Sequence, residues 1–385
     1  MNKIYLLTAA FAVMASLSGC SDTELASIDT AQEKTPIGFH TVGSQMGSRA
    51  DVIKSGNLTE YSFNVYAFTR NSTDGSDDAL FMGTNDTRPE HGGIKISHNG
   101  TKWHYANPDN LKYWPTNALN FYAVSPVPKS DDDPIFYSWQ ISQTKKEIHY
   151  ASYDEYGDGT FPYIDVMYAI ATNQSKSNSG GKVQLQFRHI TSQVVFKAKK
   201  QLSSMDVEIK SIQLHNFKHS GYFTIPTNRT ELQQSDWQYK TLTTQKPSTV
   251  IKDATKITIG TDATDISLSK PMFLIPQELK KWDTSHKIEV ANTNKESYLS
   301  IECKIKIGDF YKLGSDAADG YGTLYVPFSA NWEPGKRYVY TLIFGGGYDA
   351  DGNTILQPIN FDASVGEWVE DTKNTTTDND IPLYQ

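Results

Sequence analysis

Alternation of apolar and polar residues with a period of two is the feature that most limits what this chain can fold into. It recurs after residue 36 in short segments rich in β-branched and aromatic residues, which Gly, Asn, Asp and Ser clusters separate. No long segment keeps the helical period of about 3.6 residues. The sequence therefore predicts an all-β fold of antiparallel sandwiches. The predicted strands are EYSFNVYAFT, LNFYAVS, KVQLQFR, SQVVFKAK, DVEIKSIQLHN, HKIEVAN, SYLSIECKIKI, GTLYVPFS and KRYVYTLIF.

The length of 385 residues suits two ordinary domains, each with its own core. The segment NQSKSNSGGK, residues 173–182, is rich in Ser, Asn and Gly and contains no apolar side chain. We therefore expect two tandem β-sandwich domains, at residues 50–178 and 179–385. A long hairpin loop inside one domain would give the same composition.

Charge and cysteine content exclude several classes of protein. The formal net charge is -8 and acidic residues are scattered, so nucleic acid is not an expected partner. The chain has two cysteines, Cys20 and Cys303, too few for a disulfide scaffold or a cysteine-based zinc site. Cys303 lies in the alternating stretch ECKIKI, which is typical of a small apolar residue within a strand.

The N-terminal segment has the layout of an export signal. Lys3 precedes an apolar stretch at residues 4–13 that falls short of the about 20 residues needed to span a bilayer. The following Leu-Ser-Gly-Cys ending at Cys20 resembles a bacterial lipobox, in which the cysteine is diacylated and becomes the new N-terminus. We expect a lipoprotein signal peptide at residues 1–19 and a lipid anchor at Cys20. The alternative is an ordinary signal peptide with a nearby cysteine.

The residues after Cys20 are polar and show no periodicity, so they are expected to form a tether between the membrane and the folded part. Asp22 and Glu24 give a weak resemblance to the export signal of surface lipoproteins in Bacteroides-like bacteria. The expected location is the outer face of the cell outer membrane.

Motifs for catalysis are missing from the sequence. It contains no nucleophile elbow, P-loop, dinucleotide fingerprint or zinc-protease motif, so we predict no enzyme, no catalytic residue and no cofactor. In YDADGNTI, Asp349, Asp351 and Asn353 match the first calcium-loop positions, but Thr354 and Asn360 replace the required Gly and Glu. This stretch is interpreted as a hairpin turn. The stretch DEYGDGTF likewise departs from the calcium-loop pattern.

Histidine spacing does not indicate a metal site either. His215 and His219 are four residues apart, about 13 Å along a regular strand, which one zinc ion cannot bridge. His189, in LQFRHITSQVVFKAK, is interpreted as a hydrogen-bonded polar residue where two strands meet. No metal site is predicted.

Several phrases, taken together and in order, resemble the fimbrillin family of Bacteroidales, the subunits of type V pili. They are KYWPTNALNFYAVSP, DVMYAIA, LQFRHITSQVVFKAK, PMFLIPQ, WEPGKRYVYTLIF and INFDASVGEW. The resemblance implies two transthyretin-like β-sandwich domains, lipoprotein export, assembly with other pilin subunits into surface fimbriae and a contribution to adhesion.

The resemblance also implies that a protease removes an early strand by cutting after an arginine. Here PIGFHTV, residues 36–42, is interpreted as a short strand with Ile37, Phe39 and Thr41 on one side. The loop GSQMGSRAD follows and contains Arg49, so cleavage is expected between Arg49 and Ala50. Residues 20–49 would then be a tether and detachable first strand. Lys34 and Lys54 are competing sites for a protease of low specificity.

A strand donated to the neighbouring subunit would fill the groove left by that cut. Ile359, Phe361, Ala363 and Val365 have the spacing of two that such a strand needs. The segment 355–369 is expected either to complete the second domain of its own subunit or to enter the next one.

A different class of function remains open on the sequence. A monomeric surface lipoprotein or tip adhesin could bind a host or bacterial glycan through aromatic residues beside Asp and Gly in loops. YSWQ, HYASYDEYGDGTFPY and the loop at Tyr321 contain such residues. The same residues would be ordinary buried aromatics in a β-sandwich.

Overall fold

The computed structural model describes residues 34–43, 58–84, 92–127, 137–152, 164–240, 248–251, 256–267, 272–345, 347–356 and 360–367, and the statements below concern those residues. The fold is all-β, as the alternation predicts. Most neighbouring strands are antiparallel, but two pairs are parallel: Gly38–Gly43 with Lys182–His189, and Ser192–Lys200 with Lys336–Phe344.

The strands of the first part of the chain are β1 (Gly38–Gly43), β2 (Phe63–Arg70), β3 (Asp77–Met82), β4 (Ile94–His98), β5 (Trp103–Tyr105), β6 (Leu119–Ser125), β7 (Tyr137–Ile141), β8 (Lys146–Ala151), β9 (Met167–Gln174) and β10 (Lys182–His189). The later strands are β11 (Ser192–Lys200), β12 (Met205–His215), β13 (Ser220–Thr224), β14 (Trp237–Tyr239), β15 (Ser248–Ile251), β16 (Ile257–Ile259), β17 (Thr264–Asp265), β18 (Met272–Leu274), β19 (Glu278–Leu279), β20 (Tyr298–Ile307), β21 (Phe310–Leu313), β22 (Gly322–Pro327), β23 (Ala330–Asn331), β24 (Lys336–Phe344), β25 (Gly347–Tyr348), β26 (Thr354–Leu356) and β27 (Asn360–Glu367).

The described helices are short: α1 (Lys176–Ser179), α2 (Ile288–Asn294) and 3₁₀ turns at Leu58–Glu60, Pro108–Asn110 and Gln234–Asp236. One sequence prediction was wrong here, because HKIEVAN contains α2 instead of a strand. Ile288 and Ala291, three apart, are buried, whereas Val290 is exposed. Burial on the helical spacing therefore prevails over the local alternation.

The first sheet has the order β1-β10-β9-β6-β2-β4-β5, with β3 beside β2. Burial alternates along β10, as the sequence predicts, whereas β6 is buried on both faces. The side chains on one face of the sheet form the first core. That core includes Phe63, Val65, Phe121, Val183, Leu185 and Phe187, all fully buried.

Two further sheets enclose the second core. One has the order β17-β11-β24-β27, with β18 beside β11, and the other has the order β15-β12-β20-β22-β25-β26, with β16 beside β12 and β21 beside β20. Side chains from both sheets meet in one apolar cluster, which makes this part a sandwich. The cluster includes Val194, Phe196, Ala198, Ile209, Ile301, Leu324 and Leu342.

A four-stranded sheet, β14-β13-β8-β7, joins strands from the two parts of the chain, and β19 and β23 form a separate two-stranded sheet. A third core covers its inner face, with side chains that include Tyr66, Tyr122, Tyr150, Tyr168, Phe223, Trp237 and Phe273. The predicted division after residue 178 remains a prediction. By strand pairing, β10 belongs to the first sheet, and the next sheet begins at Ser192 in β11.

Candidate functional site: the β1 edge and the C-terminal strand

The strand predicted at residues 36–42 is present as β1 and forms an edge of the first sheet. It runs parallel to β10, from Gly38 opposite Lys182 to Gly43 opposite Phe187. Just before it, the Ile37 N–H donates to Lys112 O at 2.9 Å, and the Tyr105 hydroxyl donates to Ile37 O at 3.0 Å. In the described residues, β1 therefore pairs with one strand, and hydrogen bonds that Ile37 makes with Lys112 and with Tyr105 of β5 hold its start.

Two side chains fix β1 to the first core. Ile37 is 1% exposed and Phe39 is 7% exposed. The Phe39 ring centroid lies 6.0 Å from those of Phe63 and Tyr105 and 6.2 Å from that of Phe121. Each buried side chain contributes about 1.5 to 3 kcal/mol of hydrophobic stabilisation. Loss of β1 would open an apolar groove lined by these rings and by the exposed edge of β10.

The predicted processing and lipidation residues lie outside the described residues. Cys20 precedes them, and Arg49 and Ala50 fall between β1 and the 3₁₀ turn at Leu58–Glu60. β1 precedes the residues between 43 and 58, and the rest of the described chain follows them. A cut within the gap would leave β1 attached through non-covalent contacts alone.

The C-terminal strand lies at another sheet edge. β27 pairs antiparallel with β24, with Phe361 opposite Leu342, Ala363 opposite Tyr340 and Val365 opposite Tyr338. Ile359, the fourth predicted donor residue, lies outside the described residues. In this structure the segment therefore completes a sheet of its own chain, one of the two arrangements that the sequence left open. Its role as a donor stays a prediction.

Two hydrogen bonds to tyrosine hydroxyl groups hold the buried face of β24. Tyr338, Tyr340 and Leu342 alternate along the predicted strand KRYVYTLIF, and all three are buried. The Trp332 Nε1–H donates to the Tyr340 hydroxyl at 2.9 Å, and the Glu333 N–H donates to the Tyr338 hydroxyl at 2.8 Å. Burial raises the pKa of Tyr338 to about 12, so this hydroxyl stays neutral at physiological pH.

His189 lies where β10 gives way to β11, and it is hydrogen-bonded as predicted. Its Nδ1 lies 2.8 Å from Asp165 Oδ1, and both side chains are buried. The Trp237 Nε1–H donates to Ile190 O at 3.2 Å, and the Gly335 N–H donates to Thr191 O at 2.8 Å. Sequence reasoning missed Asp165 as the partner, because the two residues are brought together by the pairing of β9 with β10. The contacts indicate a structural junction between sheets.

Two of the aromatic groups considered for sugar stacking lie among the described residues and have other contacts, whereas residues 153–163 of HYASYDEYGDGTFPY lie outside them. Tyr137 and Trp139 from YSWQ stack at 5.9 Å and are almost fully buried. The Tyr321 ring lies beneath the amines of Lys304, Lys256 and Lys210, which are 4.7, 5.4 and 5.6 Å from its centroid. Its hydroxyl donates to the Glu208 carboxylate. These rings therefore present little free face to a ligand.

The stretch considered for calcium forms the turn between β25 and β26. Asp349 Oδ1 accepts hydrogen bonds from the backbone N–H groups of Asp351 (2.9 Å) and Asn353 (2.8 Å), and Lys287 Nζ lies 2.5 Å from Asp351 Oδ1. These bonds lower the pKa of the Asp349 carboxyl, chiefly through Asn353. Within the described ranges, no cluster of three His, Cys, Asp or Glu side chains is placed to hold a metal ion.

The described helices contain none that is both long and apolar enough to cross a bilayer. Cys303 is fully buried in the second core, and burial raises the pKa of its thiol. It is therefore a packing residue of β20, as its alternating context predicts.

Comparison with known proteins gives a consistent result. A family model described as fimbrillin-like matches residues 49–368. A fimbrial protein from Bacteroides vulgatus aligns with a TM-score of 0.55 at 14% identity, covering 87% of this chain and 99% of that one. The tip fimbrial protein Mfa3 from Porphyromonas gingivalis aligns with a TM-score of 0.34 at 12% identity, covering 80% and 94%. No curated protein sequence matches the chain.

Proposed function

The chain belongs to the fimbrillin-like family, and from this membership we propose that it is a structural subunit of a cell-surface fimbrium that assembles by strand exchange. The observation that carries the proposal is β1, an edge strand that precedes the expected cleavage site; Phe39 within it and Ile37 just before it are both buried. Its removal would leave a sheet edge and an apolar groove, the two features that a donated strand satisfies.

The precursor is proposed to reach the outer membrane as a lipoprotein anchored through diacylated Cys20. Residues 1–19 act as the signal peptide, and residues 20–49 act as tether and detachable strand. A protease that cuts between Arg49 and Ala50 then separates the anchored strand from the body. The body, with tandem domains proposed at 50–178 and 179–385, becomes free to polymerise.

The proposed donor is the C-terminal segment with Ile359, Phe361, Ala363 and Val365. Two features favour it: its residues have the spacing of two that one groove requires, and β27 is an edge strand with β24 as its described neighbour. A strand bound on one side can leave its sheet with fewer broken hydrogen bonds than a central strand. A glycan or host ligand for the assembled fimbrium stays a prediction.

N-terminal sequencing of subunits recovered from surface fibres tests the processing step. The expected terminus is Ala50, accompanied by a heat-sensitive ladder of high-mass species on a denaturing gel. Arg49→Ala should preserve the terminus at Cys20 and abolish the ladder, whereas the control Lys54→Ala should change neither. Fibre subunits that still begin at Cys20 would contradict the proposal.

A further inference from the structure

A lysine ammonium and an aspartate carboxylate meet in a buried site where β3 of the first sheet approaches β8 of the four-stranded sheet. Lys146, the first residue of β8, places its Nζ 2.7 Å from Oδ2 of Asp77, the first residue of β3. The two side chains are 10% and 5% exposed. Lys146 Nζ also lies 4.9 Å from the Tyr122 ring centroid and 5.2 Å from that of Phe68. Aromatic side chains therefore shield the pair from water.

Two backbone carbonyls accept the other hydrogens of the Lys146 ammonium. Its Nζ donates to Ser142 O at 2.9 Å and to Gln143 O at 2.8 Å, both in the turn between β7 and β8. An ammonium has three hydrogens, whereas a neutral amine has two and a lone pair. If the proton that faces Asp77 leaves, the two carbonyls keep the remaining hydrogens, and the lone pair is directed at the Asp77 carboxyl group.

The Asp77 carboxylate is held from its other side by residues of β6. The Asn120 Nδ2–H donates to Asp77 Oδ1 at 2.8 Å, and the Asn173 N–H donates to Asn120 Oδ1 at 2.9 Å, which fixes the orientation of the amide. The Tyr122 hydroxyl is a second hydrogen-bond partner of the carboxylate, and burial together with the Asp77 charge raises the pKa of Tyr122, so this hydroxyl keeps its proton. Donors at a carboxyl oxygen stabilise the negative charge that develops there when a nucleophile attacks.

We propose that Lys146 and Asp77 condense to an intramolecular isopeptide bond in the folded chain. The ammonium first gives a proton to Asp77 Oδ2, which leaves a neutral amine beside a neutral carboxylic acid. The amine attacks Asp77 Cγ, an Nζ–Cγ bond forms, and the C=O electron pair moves to Oδ1. A second proton passes from Nζ to Oδ2, the Cγ–Oδ2 bond breaks, and water leaves as the C=O bond forms again. The products are one secondary amide and one water molecule, and no oxidant, reductant or co-reactant is needed.

Two properties of the site favour a condensation that free amino acids in water do not undergo. Burial destabilises the ion pair relative to the neutral amine and acid, because neither charge is hydrated. Fixed positions raise the effective concentration of the reacting groups, which is on the order of 10⁵ to 10⁸ M in well-oriented intramolecular reactions. The adjacent pair of Lys145 and Glu147 has its Nζ 2.8 Å from Oε2, but its side chains are 46% and 24% exposed. Water hydrates that pair, so no bond is expected there.

The bond would tie the first sheet to the four-stranded sheet covalently, because β3 and β8 belong to different sheets. The segment between Asp77 and Lys146 would become a closed loop that persists after unfolding. Boiled wild-type protein should therefore migrate faster on a denaturing gel than the Lys146→Arg variant, which keeps the positive charge beside Asp77 but cannot form the amide. The proposal is independent of strand exchange, since neither residue belongs to β1 or β27.

Mass spectrometry of tryptic peptides from the purified wild-type protein tests the bond without any variant. The expected product is a branched peptide that joins Asp77 to Lys146 and is lighter by one water molecule than the sum of its parts, with cleavage after Lys145 but not after Lys146. Normal cleavage after Lys146, with an unmodified Asp77 peptide, would show an ordinary buried ion pair and overturn the proposal. A branched peptide lighter by one ammonia and joined at Asn120 would overturn the assignment to Asp77.

Intact masses of variants test the chemistry of the site. Lys146→Arg and Asp77→Ala should lack the loss of one water, whereas the control Lys145→Arg should retain it. Asn120→Ala should lengthen the half-time of water loss about 100-fold or more, measured on full chain sampled at intervals after synthesis, because a donor to Oδ1 is removed. Unchanged hydrogen exchange in the first sheet would show that Asn120→Ala has folded. An unchanged half-time in that folded variant would overturn the role of Asn120.

Discussion

Replacing Phe39 by alanine in the uncut chain would measure how firmly the body holds β1. Phe39 is 7% exposed and contacts three aromatic rings, at Phe63, Tyr105 and Phe121. Truncation of a buried phenylalanine costs about 3 to 5 kcal/mol. If that loss falls on the local opening of β1, the open population rises about 100- to 4,000-fold. The control is His40→Ala, because His40 is the exposed neighbour in the same strand.

Amide hydrogen exchange on the uncut protein measures the local opening of β1. Protection should fall in β1 and in the β10 peptides that pair with it, by a factor in the predicted range, while β6, β20 and β24 keep theirs. His40→Ala should change exchange by less than about tenfold. Unchanged protection in Phe39→Ala would show that the Phe39 side chain does not hold the strand. A uniform loss throughout the chain would show that β1 has no opening separate from global unfolding.

Two further predictions concern acid stability and the C-terminal strand. Burial lowers the pKa values of His215 and His219 to about 4 from 6.5, so the unfolded state binds protons first as the pH falls. The associated stability is present above about pH 6.5 and is lost towards pH 4, up to about 3 kcal/mol per histidine. Urea unfolding at pH 7.5 and at pH 4.5 measures this loss. The difference in unfolding free energy between the two pH values should be smaller in His215→Gln than in the wild-type protein. Deletion from Ile355 onward should abolish polymers while the first sheet keeps its exchange protection, and polymers of normal length would refute the donor role.

Local patterns predicted the strands well, because successive side chains of a strand point to opposite faces: β10 has one buried and one exposed face, whereas β6 packs against a core on both faces. Leu185 and Phe187 in β10, and Val194, Phe196 and Ala198 in β11, lie on the faces that the alternation indicates, and all are fully buried. The same reasoning failed at α2, where Ile288 and Val290 alternate like strand residues. Packing of Ile288 and Ala291 against Trp282 and Tyr298 decides the conformation there.

Long-range pairing could not be predicted from those patterns. Ser220 in β13 lies opposite Ala151 in β8, and Trp237 in β14 lies opposite Phe223, so a sheet forms from segments far apart in sequence. Alternation fixes which face of a strand is buried but not which strand lies beside it. For the same reason, the sequence could not predict the parallel placement of β1 beside β10 or the pairing of Asp165 with His189.

The position of β1 explains how one cut could change the state of the subunit without altering any contact. While the chain is continuous, β1 is held beside its groove at the high effective concentration that a short linker provides, in the millimolar range. After the proposed cleavage at Arg49, rebinding would be bimolecular, and the same Ile37 and Phe39 contacts would have to hold the strand unaided. In the proposed mechanism, Cys20 keeps the released segment at the membrane as the body departs, so the groove becomes available to a strand on the next subunit. The order of events then follows from the covalent link between β1 and the body. The donor strand does not need to outcompete β1 while that link is intact.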